Sequence, residues 1–215
     1  MNGNPALFDR LARPYRALEM AAFGLDLERA RFHFLGRLAA SRDILLLGEG
    51  DGRCSTRLAA LAPDARIQCI DSSPGMIGRA RRRFAGFTSP VRVDFVCDDV
   101  LSRDFSRSSF DAVATFFFLD CFSAAEVETI IARVSPALRP GSVWLFVDFL
   151  IPDRGLARLR GQAWLSLLYA FFRWQTGLRT RRLPPSEAIL ARAGWRVREK
   201  RDFQGGLVRS SVLSR

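Results

Sequence analysis

Gly48-Glu49-Gly50-Asp51-Gly52 follows a short apolar run, Asp43-Ile44-Leu45-Leu46-Leu47, and precedes a stretch with helical patterning. A strand that ends in alternating glycines and enters a helix lets a ligand approach the backbone. Side chains at those positions would block it, and the helix N-terminus adds exposed N–H groups. That arrangement suits a nucleotide-like ligand. Asp71 closes a second apolar run, where a carboxylate can accept hydrogen bonds from both hydroxyls of a ribose. Cys97-Asp98-Asp99-Val100 follows a third run. Asp120 stands just after a fourth and Asp148 near the end of a fifth, and either could contact a substrate or act as a base. His33, the single histidine, can change charge near neutral pH. Its place between Phe32 and Phe34 equally suits a packing role. Cys54, Cys69, Cys97 and Cys121 form no C-x-x-C pair, so no zinc or redox site is expected. Cys69 and Cys97 lie in apolar strand-like runs, where a thiol behaves as a small hydrophobe.

The elements that must position these residues alternate along the chain. Helical spacing covers about Ala6 to Phe23 and Leu25 to Ala40. After the strand Asp43–Leu47 come a helix from about Ser55 to Leu61, a strand Arg66–Asp71, and a helix Pro74–Phe84 with proline in its first turn. Val91–Val96 and Asp111–Phe117 read as strands three and four, Ala124–Leu138 as a helix, and Ser142–Phe149 as strand five. Apolar strands alternating with helices predict a parallel sheet covered on both faces, an α/β fold. The end differs. After an apolar helix (about Leu156–Thr176) and a shorter one (Pro185–Ala193), the strands Trp195–Phe203 and Leu207–Leu213 are joined by Gln204-Gly205-Gly206, a hairpin-type connection.

Taken together, these pieces carry a family resemblance. Gly48, Gly50 and Gly52 match the tight form G-x-G-x-G, whereas the dinucleotide form would need glycine or alanine at Arg53. Ile70-Asp71-Ser72-Ser73-Pro74-Gly75-Met76 resembles the D-x-S-x-x-M element of class I S-adenosylmethionine-dependent methyltransferases. Cys97–Val100, Phe110–Asp120 and Leu138-Arg139-Pro140-Gly141-Ser142 resemble the family's elements at strands three, four and five. The resemblance covers residues 44–149 and is closest to small-molecule enzymes such as the quinone C-methyltransferase group.

It implies a Rossmann-like, doubly wound seven-stranded sheet with a C-terminal antiparallel hairpin, strand order 3214576. N-terminal helices and a helical insertion after strand five complete that fold. It also implies S-adenosylmethionine as methyl donor and S-adenosylhomocysteine as product. The implied cofactor contacts are Gly48, Glu49, Gly50, Asp51, Gly52, Asp71, Ser72, Met76, Asp98, Asp99, Val100, Thr115 and Phe116. Met76 matches the position whose thioether packs on adenine. Asp99, with Asp98 as the alternative, matches the aspartate that holds the adenine amino group. The family's acceptor pocket lies above the ends of strands four and five. This makes Asp120, then Asp148, the leading catalytic candidates, with His33 and the lid-type Tyr15 behind them. One departure stands out: the acidic residue usual two positions before the first glycine is here Leu46, and Glu49 is the candidate to replace it.

With 215 residues and 48% hydrophobic content, the chain can bury one core, so 1–215 is read as one domain. Within it, 1–40 is a helical cap, 41–150 the cofactor-binding core, 151–183 a helical lid insertion, and 184–215 the last helix and hairpin. The net charge of +11 is almost all arginine and is spread along the chain, as on solvated faces. An RNA or protein methyltransferase would use that charge, but strand four lacks the N/D-P-P-Y/F element, so nucleic acid is disfavoured and a small-molecule acceptor is expected. A protein that binds S-adenosylmethionine without methyl transfer is the second rival. The helix holding Trp164, Leu168, Tyr169, Phe171, Phe172 and Trp174 can be core, lid or a peripheral membrane contact. No segment approaches the ~20 apolar residues of a membrane span. The N-terminal residues lack a secretory pattern, and a cytoplasmic location, with membrane association as an option, is expected. The oligomeric state is not legible.

Overall fold

Alternating residues of the first strand divide the interior in two. In β1 (Asp43–Leu47), Ile44 and Leu46 join one apolar cluster while Leu45 and Leu47 join the other, because successive strand side chains point to opposite faces. The computed structural model describes residues 25–88, 90–150 and 183–215. The expected helix Ala6–Phe23, Tyr15, and the apolar helix around Trp164–Trp174 lie outside the described residues.

The remaining strands are β2 (Arg66–Asp71), β3 (Arg92–Cys97), β4 (Phe110–Phe116), β5 (Leu138–Phe149), β6 (Arg196–Phe203) and β7 (Val208–Ser214). The helices are α1 (Asp26–Phe32), α2 (Arg53–Leu61), α3 (Pro74–Ala85), α4 (Ala124–Val134) and α5 (Ser186–Arg192). The sheet order is β3-β2-β1-β4-β5-β7-β6. β1 to β5 pair in parallel, and β7 runs antiparallel between β5 and β6. This is the Rossmann-like order that the resemblance implies. Residues of α1, α2 and α3 pack with one cluster, and residues of α4 and α5 with the other.

Four local expectations are corrected. The helical pattern at Leu25–Ala40 resolves into α1 and a separate 3₁₀ turn, Leu35–Leu38. Leu35 and Leu38 stay buried across the break, which is why the apolar spacing reads straight through it. The helix expected to reach Leu138 ends at Val134, and a 3₁₀ turn follows over Ser135–Ala137, since Pro136 has no N–H to continue the ladder. The fifth strand starts at Leu138 rather than Ser142, because a register shift between Phe110 and Ala112 carries pairing across the Pro140-Gly141 turn. Cys97, at the end of an edge strand, is exposed, whereas Cys69 is buried.

Candidate active site

Parallel strands bring their carboxyl ends, and the loops that follow, to one edge of the sheet, where open α/β folds bind ligands. The glycine turn lies there, with left-handed φ of +69° at Gly48, +67° at Gly50 and +85° at Gly52. Their absent side chains matter differently. A Cβ on Gly48 would stand 2.2 Å from the Phe118 ring, and one on Gly52 would stand 2.7 Å from the Ala80 Cα in α3. Those two glycines let the protein pack on itself. A Cβ on Gly50 would meet nothing within 4 Å, so Gly50 faces open space that a ligand can enter.

Asp71 ties both walls of that space together. Its Oδ2 accepts from the Gly50 N–H at 3.0 Å and its Oδ1 from the Ser73 N–H at 2.9 Å. Ser73 in turn caps α3, its hydroxyl accepting from the Met76 N–H at 3.2 Å, with Pro74 in the first turn. Met76 is half-buried. The Ser72 hydroxyl oxygen is buried and makes no hydrogen bond. Asp51 braces the turn from outside: Arg53 donates to its Oδ1 at 3.0 Å and Arg83 to its Oδ2 at 3.0 Å, while a second Arg83 nitrogen donates to the Asp51 carbonyl at 2.9 Å. Burial would raise the Asp51 pKa, but Arg53, Arg83 and Arg31 together hold it below the ordinary carboxylate range.

Glu49 points inward. Its Oε1 accepts from the Ser55 N–H at 2.8 Å in the first turn of α2, and its Oε2 is buried without a hydrogen bond. Burial pushes its pKa up to about 7, against the hydrogen bond from Ser55 and the charge of Arg31. Leu46, the departing position, lies fully within the core. Of the two aspartates after β3, Asp98 has both oxygens engaged, by the Asp99 N–H at 2.8 Å and by Arg103 at 2.5 Å. Asp99 uses Oδ1 for the Leu101 N–H at 3.0 Å. Val100 is buried.

Strand four delivers its residues unevenly. The Thr115 hydroxyl is enclosed and accepts from the Trp144 indole N–H at 3.0 Å, so this side chain is committed to the core. Phe116 packs in the α1–α3 cluster. Beyond the strand, Asp120 sits in the 3₁₀ turn Leu119–Cys121 and is buried, as is Asp148 near the end of β5. Burial raises the Asp120 pKa to about 6, tempered by the Cys121 thiol and the neighbouring Asp148 carboxyl. Burial, reinforced by the Asp120 charge, drives Asp148 well above its usual value. The Cys121 thiol lies 3.6 Å from Asp120 Oδ1; burial and the two aspartates push it far up, so it stays an unreactive thiol.

The sequence model of a methyltransferase domain matches residues 44–141, the stretch from β1 into β5. By this match, that stretch is a methyltransferase domain. It is 32% identical over 155 residues to the demethylmenaquinone methyltransferase of Clavibacter sepedonicus, covering 71% of this chain and 60% of that one. It is 28% identical over 111 residues to the carboxy-S-adenosyl-L-methionine synthase of Pectobacterium atrosepticum, covering 51% of this chain and 44% of the relative. The chain therefore spans about half the length of these relatives. The N-methyltransferase NodS of Bradyrhizobium japonicum, solved with S-adenosylhomocysteine, superposes with a TM-score of 0.65 at 19% identity, covering 97% and 95% of the two chains.

The structure adds residues that sequence reasoning passed over. Arg31, on α1, is buried, with its guanidinium 5.4 Å from the Phe117 ring centre. Phe117 itself has a left-handed φ of +51° and packs at a tilt against Phe149, ring centres 5.0 Å apart; such backbone strain in a bulky residue concentrates at functional edges. No local signal distinguishes Arg31 from the exposed arginines around it. Phe117 was visible only as one of three consecutive phenylalanines. His33 is exposed and packs edge-on against Phe34 and Phe203, at 4.5 and 5.5 Å, away from the carboxyl cluster in the contacts it makes. Tyr15 lies outside the described residues. Among them, no helix is long and apolar enough to cross a membrane, and no cluster of ligating side chains could hold a metal.

Proposed function

We propose that this protein transfers the methyl group of S-adenosylmethionine to a small, lipophilic or aromatic acceptor, and that residues 1–215 act as one domain with 1–40 as cap and 151–183 as lid. The observation that carries the reading is the open space over Gly50, bounded by a carboxylate at the end of β2 that holds the Gly50 N–H. The orphaned Ser72 hydroxyl and Glu49 Oε2 beside it are unused polar atoms at the same edge, and buried polar atoms normally find partners. These features fit the nucleoside end and the amino-acid end of the cofactor.

When bound, S-adenosylmethionine supplies a methyl group on a positively charged sulfur, so transfer is an in-line displacement. The chain's tasks are to position the acceptor and exclude water. Asp71 is the candidate for the ribose hydroxyls and Met76 for the adenine face. Asp99 is the candidate for the adenine amino group, with Asp98 as the alternative. Glu49 is the candidate for the methionine amino group through its unused oxygen. The apolar segment around Trp164–Trp174 would cover a lipophilic acceptor, and its flanking arginines suit a peripheral membrane contact.

Melting measured with S-adenosylhomocysteine and with NAD tests the reading. Ligand at 100 times its Kd stabilises by about 2.7 kcal/mol. A rise in Tm with S-adenosylhomocysteine and none with NAD is expected; the reverse would sink it. Label transferred from methyl-labelled S-adenosylmethionine to a small acceptor then separates an enzyme from a protein that only binds the donor.

A further inference from the structure

Asp120 and Asp148 meet because β4 and β5 are neighbours, with Phe116 opposite Val147 at the last paired position. Asp120 is 8% exposed and Asp148 only 2%. The Asp148 Oδ1 accepts from the Phe149 N–H at 2.9 Å, and its Oδ2 is enclosed with no hydrogen-bond partner. Other groups face the pair from several directions. The Cys121 thiol lies 3.6 Å from Asp120, and the charge of Asp71 on β2 also acts on that thiol. On β7, Arg209 stands opposite Asp148, but its guanidinium is spent on Asp202, at 2.6 and 3.0 Å, and on Glu187 at 3.0 Å. No cation among the described residues forms an ion pair with Asp148. Two adjacent carboxyls in a dry site cannot both stay charged, so one keeps its proton. Deeper burial and the neighbouring charge make Asp148 the one that keeps it.

Resting on the methyl-transfer reading above, we propose that Asp120 and Asp148 hold one proton between them and accept a second from an acidic hydroxyl, a phenol or an enol, on the methyl acceptor. Asp120, the less enclosed of the two, touches that hydroxyl; Asp148 is the positioning residue behind it. In the step, the acceptor's O–H proton passes to Asp120 as the oxygen's electron pair forms the O–CH3 bond. The S–CH3 bond breaks and its electrons stay on sulfur. The pair, now holding two protons, returns one to solvent through Asp120.

The class of hydroxyl follows from matched acidity. A carboxylate raised by burial is a useful base for an O–H of about tyrosine acidity, and far too weak for an aliphatic alcohol. An amine already carries the lone pair it needs. Rings flank the pair along the chain: Phe118 and Phe122, 5.0 Å apart, stand either side of Asp120 in sequence, and Phe149 follows Asp148 and packs against Phe117. They favour an aromatic acceptor.

Infrared spectroscopy at pH 8, comparing the intact pair with each Asp→Asn variant in a Glu49→Gln background so that Glu49 contributes no band, tests the pair without any acceptor. One protonated-carboxyl stretch is expected to persist at pH 8, to vanish in Asp148→Asn and to shift in Asp120→Asn. Absence of that stretch overturns the proposal. Methyl-labelled S-adenosylmethionine is then offered with 1-naphthol, 4-hydroxycoumarin, aniline and benzyl alcohol. Label is expected on the first two. In variants whose Tm still rises with S-adenosylhomocysteine, Asp120→Asn lowers kcat by about a hundredfold or more, with KM nearly unchanged and the acid limb of the pH profile removed, and Asp148→Asn moves that limb. Label confined to aniline or benzyl alcohol, label on none of the four, or Asp120→Asn with wild-type kcat and pH profile overturns it. If S-adenosylhomocysteine still raises the wild-type Tm in those cases, the donor-binding part of the wider reading stands while the hydroxyl assignment fails.

Discussion

The two ends of the sheet use the same side chain in opposite ways. At the amino end, Asp43 accepts from Arg66 at 2.8 Å and from Arg139 at 2.8 Å, and Asp111 accepts the Arg42 and Asp43 N–H groups. Partial burial alone would raise the Asp43 pKa, yet the two arginines carry it below its ordinary value. At the carboxyl end, Glu49, Asp120 and Asp148 are buried and raised, and Glu49 and Asp148 each keep an oxygen with no hydrogen bond. One end is paired for cohesion. The other stores unsatisfied polar atoms where a ligand would arrive, and such clusters of perturbed carboxyls mark functional edges.

Acid should therefore affect the two ends with opposite sign. The largest effect belongs to Glu49. A carboxyl raised from 4.5 to about 7 gives stability that is fully present below pH 4.5 and is lost as pH rises through 7, about 3 kcal/mol in all. Urea unfolding at pH 4.5 and pH 8 should show the wild type losing about that much more than Glu49→Gln; equal losses would break the contrast. The next effect is on binding. Asp71→Ala removes the acceptor for the Gly50 and Ser73 N–H groups and for the proposed ribose contact. Bonds to charged groups contribute about 1.5–3 kcal/mol, so calorimetry with S-adenosylhomocysteine should show roughly ten- to a hundredfold weaker binding. The smallest effect is at the amino end. Asp43→Asn should cost no more than about 1 kcal/mol, since its arginine partners are largely exposed. Its contribution is present above the unfolded carboxylate pKa and fades as pH falls through the lowered one. High salt should weaken it, whereas the Glu49 effect should persist.

Much of this contrast was legible before any coordinates. β1 and β2 match their expected bounds because short apolar stretches, Ile44–Leu47 before Gly48 and Ile67, Cys69 and Ile70 before Asp71, leave few alternatives. Asp120 and Asp148 could be placed at one edge because both close neighbouring strands in a parallel sheet. Their shared enclosure could not be read, since it depends on how Phe118, Phe122 and Phe149 pack. Nor could the division of labour within the glycine turn: three equivalent letters conceal a contact with Phe118, an open face, and a contact with Ala80. Thr115 looked like a site residue by position, but its hydroxyl is bound to Trp144, 29 residues away. Arg31 was hidden for the same reason, since it meets Phe117 just beyond β4 and its charge acts on Glu49 and Asp51 of the glycine turn.

The placing of β7 carries a consequence for how the chain is made. β6 is synthesised first yet pairs only with β7 in the finished sheet, and β7 also covers the outer edge of β5. Until residues 208–214 leave the ribosome, β5 has an open edge and residues 196–203 have no ladder to join. An open strand edge is a template for wrong pairing between chains. On β6, Arg196, Arg198, Lys200 and Arg201 outnumber Glu199 and Asp202, and this net positive charge disfavours pairing between two such segments until residues 208–214 close both edges.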